Sequence, residues 1–253
     1  MNRAHILTAL LILALPSLSG HAHAAPLLVS GSSTVQKRVL EPCKKALEKK
    51  TGTSIEIVGA GSIRGLKDLM KGEAAAAMLS CPLDTAVRVA GMPGEGTFRE
   101  HIIVQDMVVA IVHPSNRVKS LTLAQLTDIS TGKISNWKDV GGKDGRIVVV
   151  APPQSSGTRA YVRDAVMKGG DFPANAYVTV TDREAIDVVA LSPISIAMLS
   201  EGFVKTGNGK KVKTVKTPPL KRQLTLVTKD EPSKELQTMI KFLQSKEAKK
   251  LFK

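Results

Sequence analysis

The chain has 253 residues, 43% of them hydrophobic and only 3% aromatic, and its 36 Lys and Arg outnumber 22 Asp and Glu for a net charge of +14. Such a balance attracts anionic solutes, membranes or polymers, but the shortage of aromatic rings and the lack of zinc-ligand spacing argue against a nucleic-acid binder. No segment reaches the roughly 20 apolar residues that a membrane-spanning helix needs.

At the N-terminus Arg3 precedes an apolar stretch from Ile6 to Leu15, then Pro16 and Gly20, and Ala22-His23-Ala24 fits a signal-peptidase site. Residues 1–24 are therefore expected to be a signal peptide. Cleavage would leave about 228 residues, room for one large or two small domains at roughly 100–200 residues each. No Cys follows the cleavage region, so the expected product is an exported, periplasmic protein without a lipid anchor.

From Leu27 strands and helices alternate. Leu27–Ser30 reads as a short strand, and Val35, Val39, Cys43, Ala46 and Leu47 recur at helical spacing until Thr51-Gly52. Ile55–Val58, a helix from Ile63 to Met70, and Ala74–Leu79 follow, which predicts parallel pairing through right-handed crossovers. A second unit begins near Met107 with the apolar run Val108–Val112. Thr122 and Gln125 form a capping-box pattern opening a helix that Thr131-Gly132 closes. Ile147–Val150, a helix ending at Gly169-Gly170, Tyr177–Val180 and a helix from Arg183 to Leu191 extend it. Ile194–Leu199 and Leu224–Thr228 read as strands, and Ser233 and Ser245 as N-caps of two closing helices. The lysines between Lys205 and Arg222 read as a solvated face.

Three Gly/Ser/Thr turns punctuate this pattern: Gly31-Ser32-Ser33-Thr34, Gly59-Ala60-Gly61-Ser62 and Ser155-Ser156-Gly157-Thr158-Arg159. Each ends an apolar run and opens a helix. A helix start carries unpaired N–H groups and the positive end of the dipole, so it stabilises an anion. Ser33, Thr34, Ser62, Ser156 and Thr158 supply candidate donors, and Arg159 a fixed cationic fork. Because parallel sheets bring strand C-termini to one edge, the first two turns and Ser80-Cys81-Pro82 should converge. A single such turn would be ordinary helix capping.

Catalytic machinery is not legible. Only His101 and His113 lie beyond the signal region, neither in a ligand-spaced cluster, and His113 reads as a strand-end residue. No Gly-x-Ser-x-Gly, His-Glu-x-x-His or Cys-x-x-Cys is present, so no catalytic residue, metal or cofactor is expected. Cys43 and Cys81 would meet an oxidising compartment. Cys43 nevertheless lies roughly 13 Å along its helix at 1.5 Å per residue, whereas Cys81 follows a strand ending near that helix's start, and a disulfide needs Cα atoms within about 7 Å.

Gly31-Ser32-Ser33-Thr34-Val35, Gly61-Ser62, Ser80-x-Pro82-Leu83, Leu121-Thr122, Ser130-Thr131-Gly132-Lys133-Ile134-Ser135-Asn136-Trp137 and Ser156-Gly157-Thr158-Arg159 resemble the periplasmic phosphate-binding proteins of ABC transporters. The resemblance covers nearly the whole mature chain. It implies an α/β, type II periplasmic-binding-protein fold: two α/β lobes joined by two crossing strands, with the oxyanion in the cleft. Residues 26–105 plus 200–253 would form one lobe and 106–199 the other. By the family's pattern Thr34, the Val35 N–H and Ser62 would face the ligand from one lobe, with Ser33 beside them, and Ser156, Gly157 and Thr158 from the other. It further implies a monomer that passes phosphate to a membrane ABC permease.

Three positions depart from that pattern. Cys81 stands where many relatives have a charged residue, an Asp in well-known phosphate binders, that accepts the proton of hydrogen phosphate. Pro152 replaces an Arg four residues before the Ser of Ser-Gly-Thr. Arg64 is unusual, and either supplies the missing cation or faces solvent. Phosphate, arsenate, sulfate, a metal oxyanion or a phosphorylated metabolite all fit the class. A sensor or surface-interaction protein that kept the fold and altered the pocket is the alternative.

Overall fold

A computed structural model describes residues 26–92, 98–205 and 207–252; the expected signal peptide lies outside the described residues. Leu27–Gly31 forms β1, whose last three residues, Val29 to Gly31, are buried. One long helix, α1, follows in three segments: α over Ser33–Val35, π over Gln36–Leu40, and α again over Glu41–Thr51. Pro42 explains the widened turn, since proline has no N–H and its ring collides with the carbonyl four residues back. Gly52, with φ of 70°, ends the helix in the left-handed region.

Next come β2 (Ile55–Val58), α2 (Ser62–Met70), β3 (Ala76–Leu79) and α3 (Leu83–Ala90). Strands β2 and β3 both pair parallel to β1, as the strand-helix alternation predicts. The run Val108–Val112 is the end of a 15-residue strand, β4 (Phe98–Val112). Helix α4 (Leu123–Ser130) has both bonds of the capping box between Thr122 and Gln125. Strand β5 (Val148–Ala151), helix α5 (Gly157–Ala165), the two-residue β6 (Tyr177–Val178), α6 (Asp182–Leu191) and β7 (Ser195–Ser200) complete the second unit. Helix α7 (Glu201–Lys205) leads towards the 17-residue β8 (Lys213–Lys229). The chain closes with α8 (Lys234–Gln244) and α9 (Lys246–Lys249), capped by Ser233 and Ser245.

The eight strands make one sheet in the order β2-β1-β3-β8-β4-β7-β5-β6. Its two ends are the two lobes, each covered by helices, and the antiparallel pair β4 and β8 runs through both. The lysine-rich segment expected to be a solvated face enters this crossing pair from Lys213 onward. Its lysines alternate outward from buried Val215, Leu220 and Leu224, while Lys216 to Pro219 fall out of the ladder at a register shift opposite Val108 and Ala110. Two prolines cannot donate to a ladder, and a bulge accommodates them.

One apolar core runs continuously between the lobes on one side of the sheet, and two smaller ones fill the other side, one in each lobe. Cys81 sits in the continuous core and Cys43 in the first lobe's separate core, so both thiols are buried and free. Among the described residues no helix is long and apolar enough to cross a membrane.

Candidate functional site

The sheet topology brings the starts of α1, α2 and α5 to one cleft, where a cavity of about 260 Å³ opens between the lobes. That volume lies below the roughly 300–1,000 Å³ typical of pockets for drug-sized ligands. From the first lobe its wall takes Ser32, Ser33, Thr34, Gly59, Ala60, Gly61 and Ser80, and from the second Pro152, Pro153, Ser155 to Thr158 and Thr179 to Asp182. All three Gly/Ser/Thr turns thus meet, two facing the third.

The turns differ in how they are capped. Ser32 Oγ accepts the Val35 N–H at 3.4 Å, and Ser156 Oγ accepts the N–H groups of Thr158 at 3.1 Å and Arg159 at 3.3 Å. Gly61 caps α2 without a side chain, at φ of 93°. A Cβ there would stand 2.5 Å from the Ser155 carbonyl oxygen of the opposite lobe, so glycine is required by both conformation and space. The Ile63 N–H donates to that same Ser155 carbonyl at 3.1 Å.

Of the nine residues expected at the ligand, Ser33, Thr34, Ser156, Gly157 and Thr158 line the cavity. The other four are not on its wall. Val35 is fully buried, with its N–H committed to the Ser32 cap. Ser62 lies just behind the wall, accepting the Ser80 N–H at 3.1 Å, with its hydroxyl 3.4 Å from that of Ser80. Cys81 points into the apolar core and lines a different depression beside Tyr161 and Arg222. Burial pushes its thiol up to about 12, against a smaller opposing pull from Arg222. Arg159 turns away, donating from Nη1 to the Pro152 carbonyl at 2.8 Å and stacking over Phe172 at 4.7 Å. Arg64 is also outside, its Nε bonded to Asp68 at 2.6 Å on an exposed helix face.

Among the described residues no Lys or Arg lines the cavity. Arg222 of β8, whose side chain is wholly buried, bonds two residues of the wall from behind. Its Nε bonds Asp106 at 2.9 Å, and its Nη1 donates to the Ser80 carbonyl at 3.0 Å and to Thr158 Oγ at 2.9 Å. Arg222 therefore ties a cavity hydroxyl of one lobe to the backbone of the other. Asp106 is held in turn by Arg38 and by Ser200 Oγ at 2.8 Å. Asp106 and Arg222 sit opposite one another on the crossing strands.

Asp182, the first residue of α6, is the one titratable side chain on the cavity wall among the described residues. Its Oδ2 accepts from Ser33 Oγ across the cleft at 3.4 Å. Burial holds its carboxyl above the usual range, against opposing effects of Arg222 and the Ser33 bond. Sequence reading missed Asp182, which looks like an ordinary acid in a first helical turn. It missed the Asp106–Arg222 pair as well. The signal for Arg222 was present in the alternation Leu220-x-Arg222-x-Leu224, which puts a charge at an inward register.

A family description, the PBP superfamily domain, matches residues 18–247. The chain belongs to the PBP superfamily. Its lobes, crossing strands and interlobe cleft form the type II arrangement of that superfamily. A Clostridium perfringens structure, a phosphate ABC transporter substrate-binding protein solved with bound phosphate, is similar over 90% of this chain and 96% of its own, with 30% identity and a TM-score of 0.77. An ABC-type phosphate transport receptor from Vibrio cholerae superposes over the same shares, with 27% identity and a TM-score of 0.72. The phosphate-binding protein PstS of Bacillus subtilis is 31% identical over 178 residues, 70% of this chain and 58% of that protein. The chain thus matches little more than half the length of that curated relative.

Proposed function

We propose that this PBP superfamily member is an exported solute-binding protein that closes around phosphate and delivers it to a membrane ABC permease. The observation that carries the reading is the convergence of three helix starts and a ring of hydroxyls on one small interlobe cavity. A hydrogen bond to a charged group contributes roughly 1.5–3 kcal/mol, so several donors from two lobes give tight binding without a lining cation. The similarity to proteins named for phosphate binding and phosphate transport supports phosphate as the oxyanion.

In this reading Ser33, Thr34, Ser156, Gly157 and Thr158 contact the ligand, and the Arg222 bridge behind the wall holds Thr158 Oγ and Ser80 in place. Residues 26–105 with 200–253 move as one lobe and 106–199 as the other, about β4 and β8. A binding protein needs only greater affinity in the closed state for its ligand to shift the equilibrium between open and closed forms. Residues 1–24 direct export to the periplasm and are removed, and the mature protein acts as a monomer. Isothermal titration of the purified protein with sodium phosphate tests the reading. Saturable binding with one phosphate per chain is expected, and no heat up to millimolar phosphate contradicts it.

A further inference from the structure

The cavity presents an anion with an unusual neighbour. Its wall is rich in hydroxyls, and among the described residues it has no lining cation and one ionisable side chain, an acid. A fully ionised oxyanion pressed against a carboxylate in a closed, water-poor cleft is repelled, and no cation on the wall offsets that. A shared proton removes the conflict. A ligand O–H donated to the carboxylate turns the repulsion into a charge-assisted hydrogen bond, the stronger kind.

Resting on the phosphate-binding reading above, we propose that Asp182 is the specificity-determining residue of this cleft: it accepts the O–H of a protonated oxyanion, so the ligand must carry an ionisable hydroxyl. The site is then selective for phosphate and arsenate over sulfate, which has no proton to give near neutral pH. Asp182 approaches from the second lobe, whereas the Cys81 position, at the end of β3, belongs to the first. The selecting acid therefore stands across the cleft from the place the sequence resemblance points to, and Cys81 itself faces the core.

The surroundings fit an acceptor role. Ser33 Oγ reaches the Asp182 carboxyl from α1 at 3.4 Å, a long bond that a ligand hydroxyl entering between the lobes can join or replace. From the crossing strands the charges of Arg222 and Asp106 act on Asp182 in opposite senses. On its own helix, Arg183 lies 3.8 Å from Asp187, and Glu184 is occupied by the Val180 N–H at 2.7 Å. Among the described residues no neighbouring cation therefore neutralises Asp182 by direct pairing, and its proton balance is left to the ligand. A site built to hydrogen-bond a ligand hydroxyl rejects an analogue lacking it far more strongly than a site relying on size.

The test is isothermal titration of the purified protein with sodium phosphate and with sodium sulfate at pH 7, on the wild type, Asp182→Asn and Asp182→Ser, each checked for a cooperative thermal transition. The wild type is expected to prefer phosphate by at least about 100-fold. Both variants should narrow that preference at least about tenfold, chiefly by gaining sulfate affinity, because an amide or hydroxyl can donate where the carboxylate cannot. Either folded variant suffices for the comparison. If the wild type binds both anions equally, or if the variants keep its preference, the assignment to Asp182 is overturned while phosphate binding stands. If the wild type binds neither anion, the phosphate reading fails and this inference falls with it.

Discussion

At the scale of single residues the cleft depends on small groups placed where nothing larger fits. A Cβ on Gly157 would stand 2.2 Å from Ser62 Oγ and 2.7 Å from Ser80 Oγ, both in the facing lobe. Gly157→Ala should therefore oppose closure: overpacking costs about 1–3 kcal/mol, and here the strain falls on the closed form. Phosphate affinity should drop at least about tenfold, the equivalent of 1.4 kcal/mol, with the thermal midpoint of the ligand-free protein nearly unchanged; titration and melting together check this. Asp182 gives a pH prediction. Its carboxyl is held above the ordinary value in the folded protein, so between the unfolded and folded values the native state keeps a proton that the unfolded chain has lost. Stability from this group is full below the unfolded carboxylate value of about 3.9 and is lost as pH rises through the folded value. Without ligand, Asp182→Asn should raise the melting temperature at pH 7 and leave it nearly unchanged at pH 3.5; equal shifts at both pH values would contradict that. Cys81, with its thiol pushed up to about 12 by burial, should resist iodoacetamide at pH 8 in the native state and react once the chain is unfolded.

At the scale of elements the crossing strands matter most. Asp106 on β4 and Arg222 on β8 form a wholly buried pair, extended by Arg38 and Ser200. Removing one partner of such a pair leaves an uncompensated charge, so Arg222→Met should cost about 3–5 kcal/mol in denaturant unfolding. It also releases the Thr158 hydroxyl that Arg222 holds, so affinity should fall with stability. Much of this architecture is legible in the sequence, because periodicity reports which face is buried. The β1-α1-β2-α2-β3 succession, the Thr122 capping box and the Ser233 and Ser245 caps all follow from local chemistry. The full length of β8 is not: Pro218 and Pro219 look like the end of a strand, and only pairing with β4 shows that the ladder resumes beyond them. The site is legible to the same degree. The hydroxyl turns announce themselves because helix starts have a chemical signature. The direction in which Arg159 points, or the distance from Asp182 to Ser33, is set by contacts between residues far apart in the chain. Arg159 looks like a ligand-facing cation beside its motif, yet the Pro152 carbonyl and Phe172 draw it aside.

At the scale of the whole molecule the protein is a two-lobed clamp: one apolar core is continuous between the lobes on one side of the sheet, and polar contacts join them at the cleft, Ser33 to Asp182, Ile63 to Ser155 and Arg222 to Thr158. Away from the cleft, Thr85 and Arg88 of α3 both meet Asp164 of α5, Thr85 Oγ at 2.6 Å. The Arg88–Asp164 pair is exposed, and surface ion pairs contribute at most about 1 kcal/mol, whereas the Arg222 bond to Thr158 is buried. A ligand that bonds both lobes should therefore add to the contacts that favour closure. Binding to the native state alone stabilises it by about 2.7 kcal/mol at 100 times the dissociation constant, a shift of several degrees for a domain of this size. The measurement that bears most directly on this account is the melting temperature of the purified protein with and without millimolar sodium phosphate at pH 7, with sodium sulfate as the matched control. The account predicts a rise of about 5 °C or more with phosphate and little change with sulfate. Identical melting temperatures with phosphate and without it would contradict it.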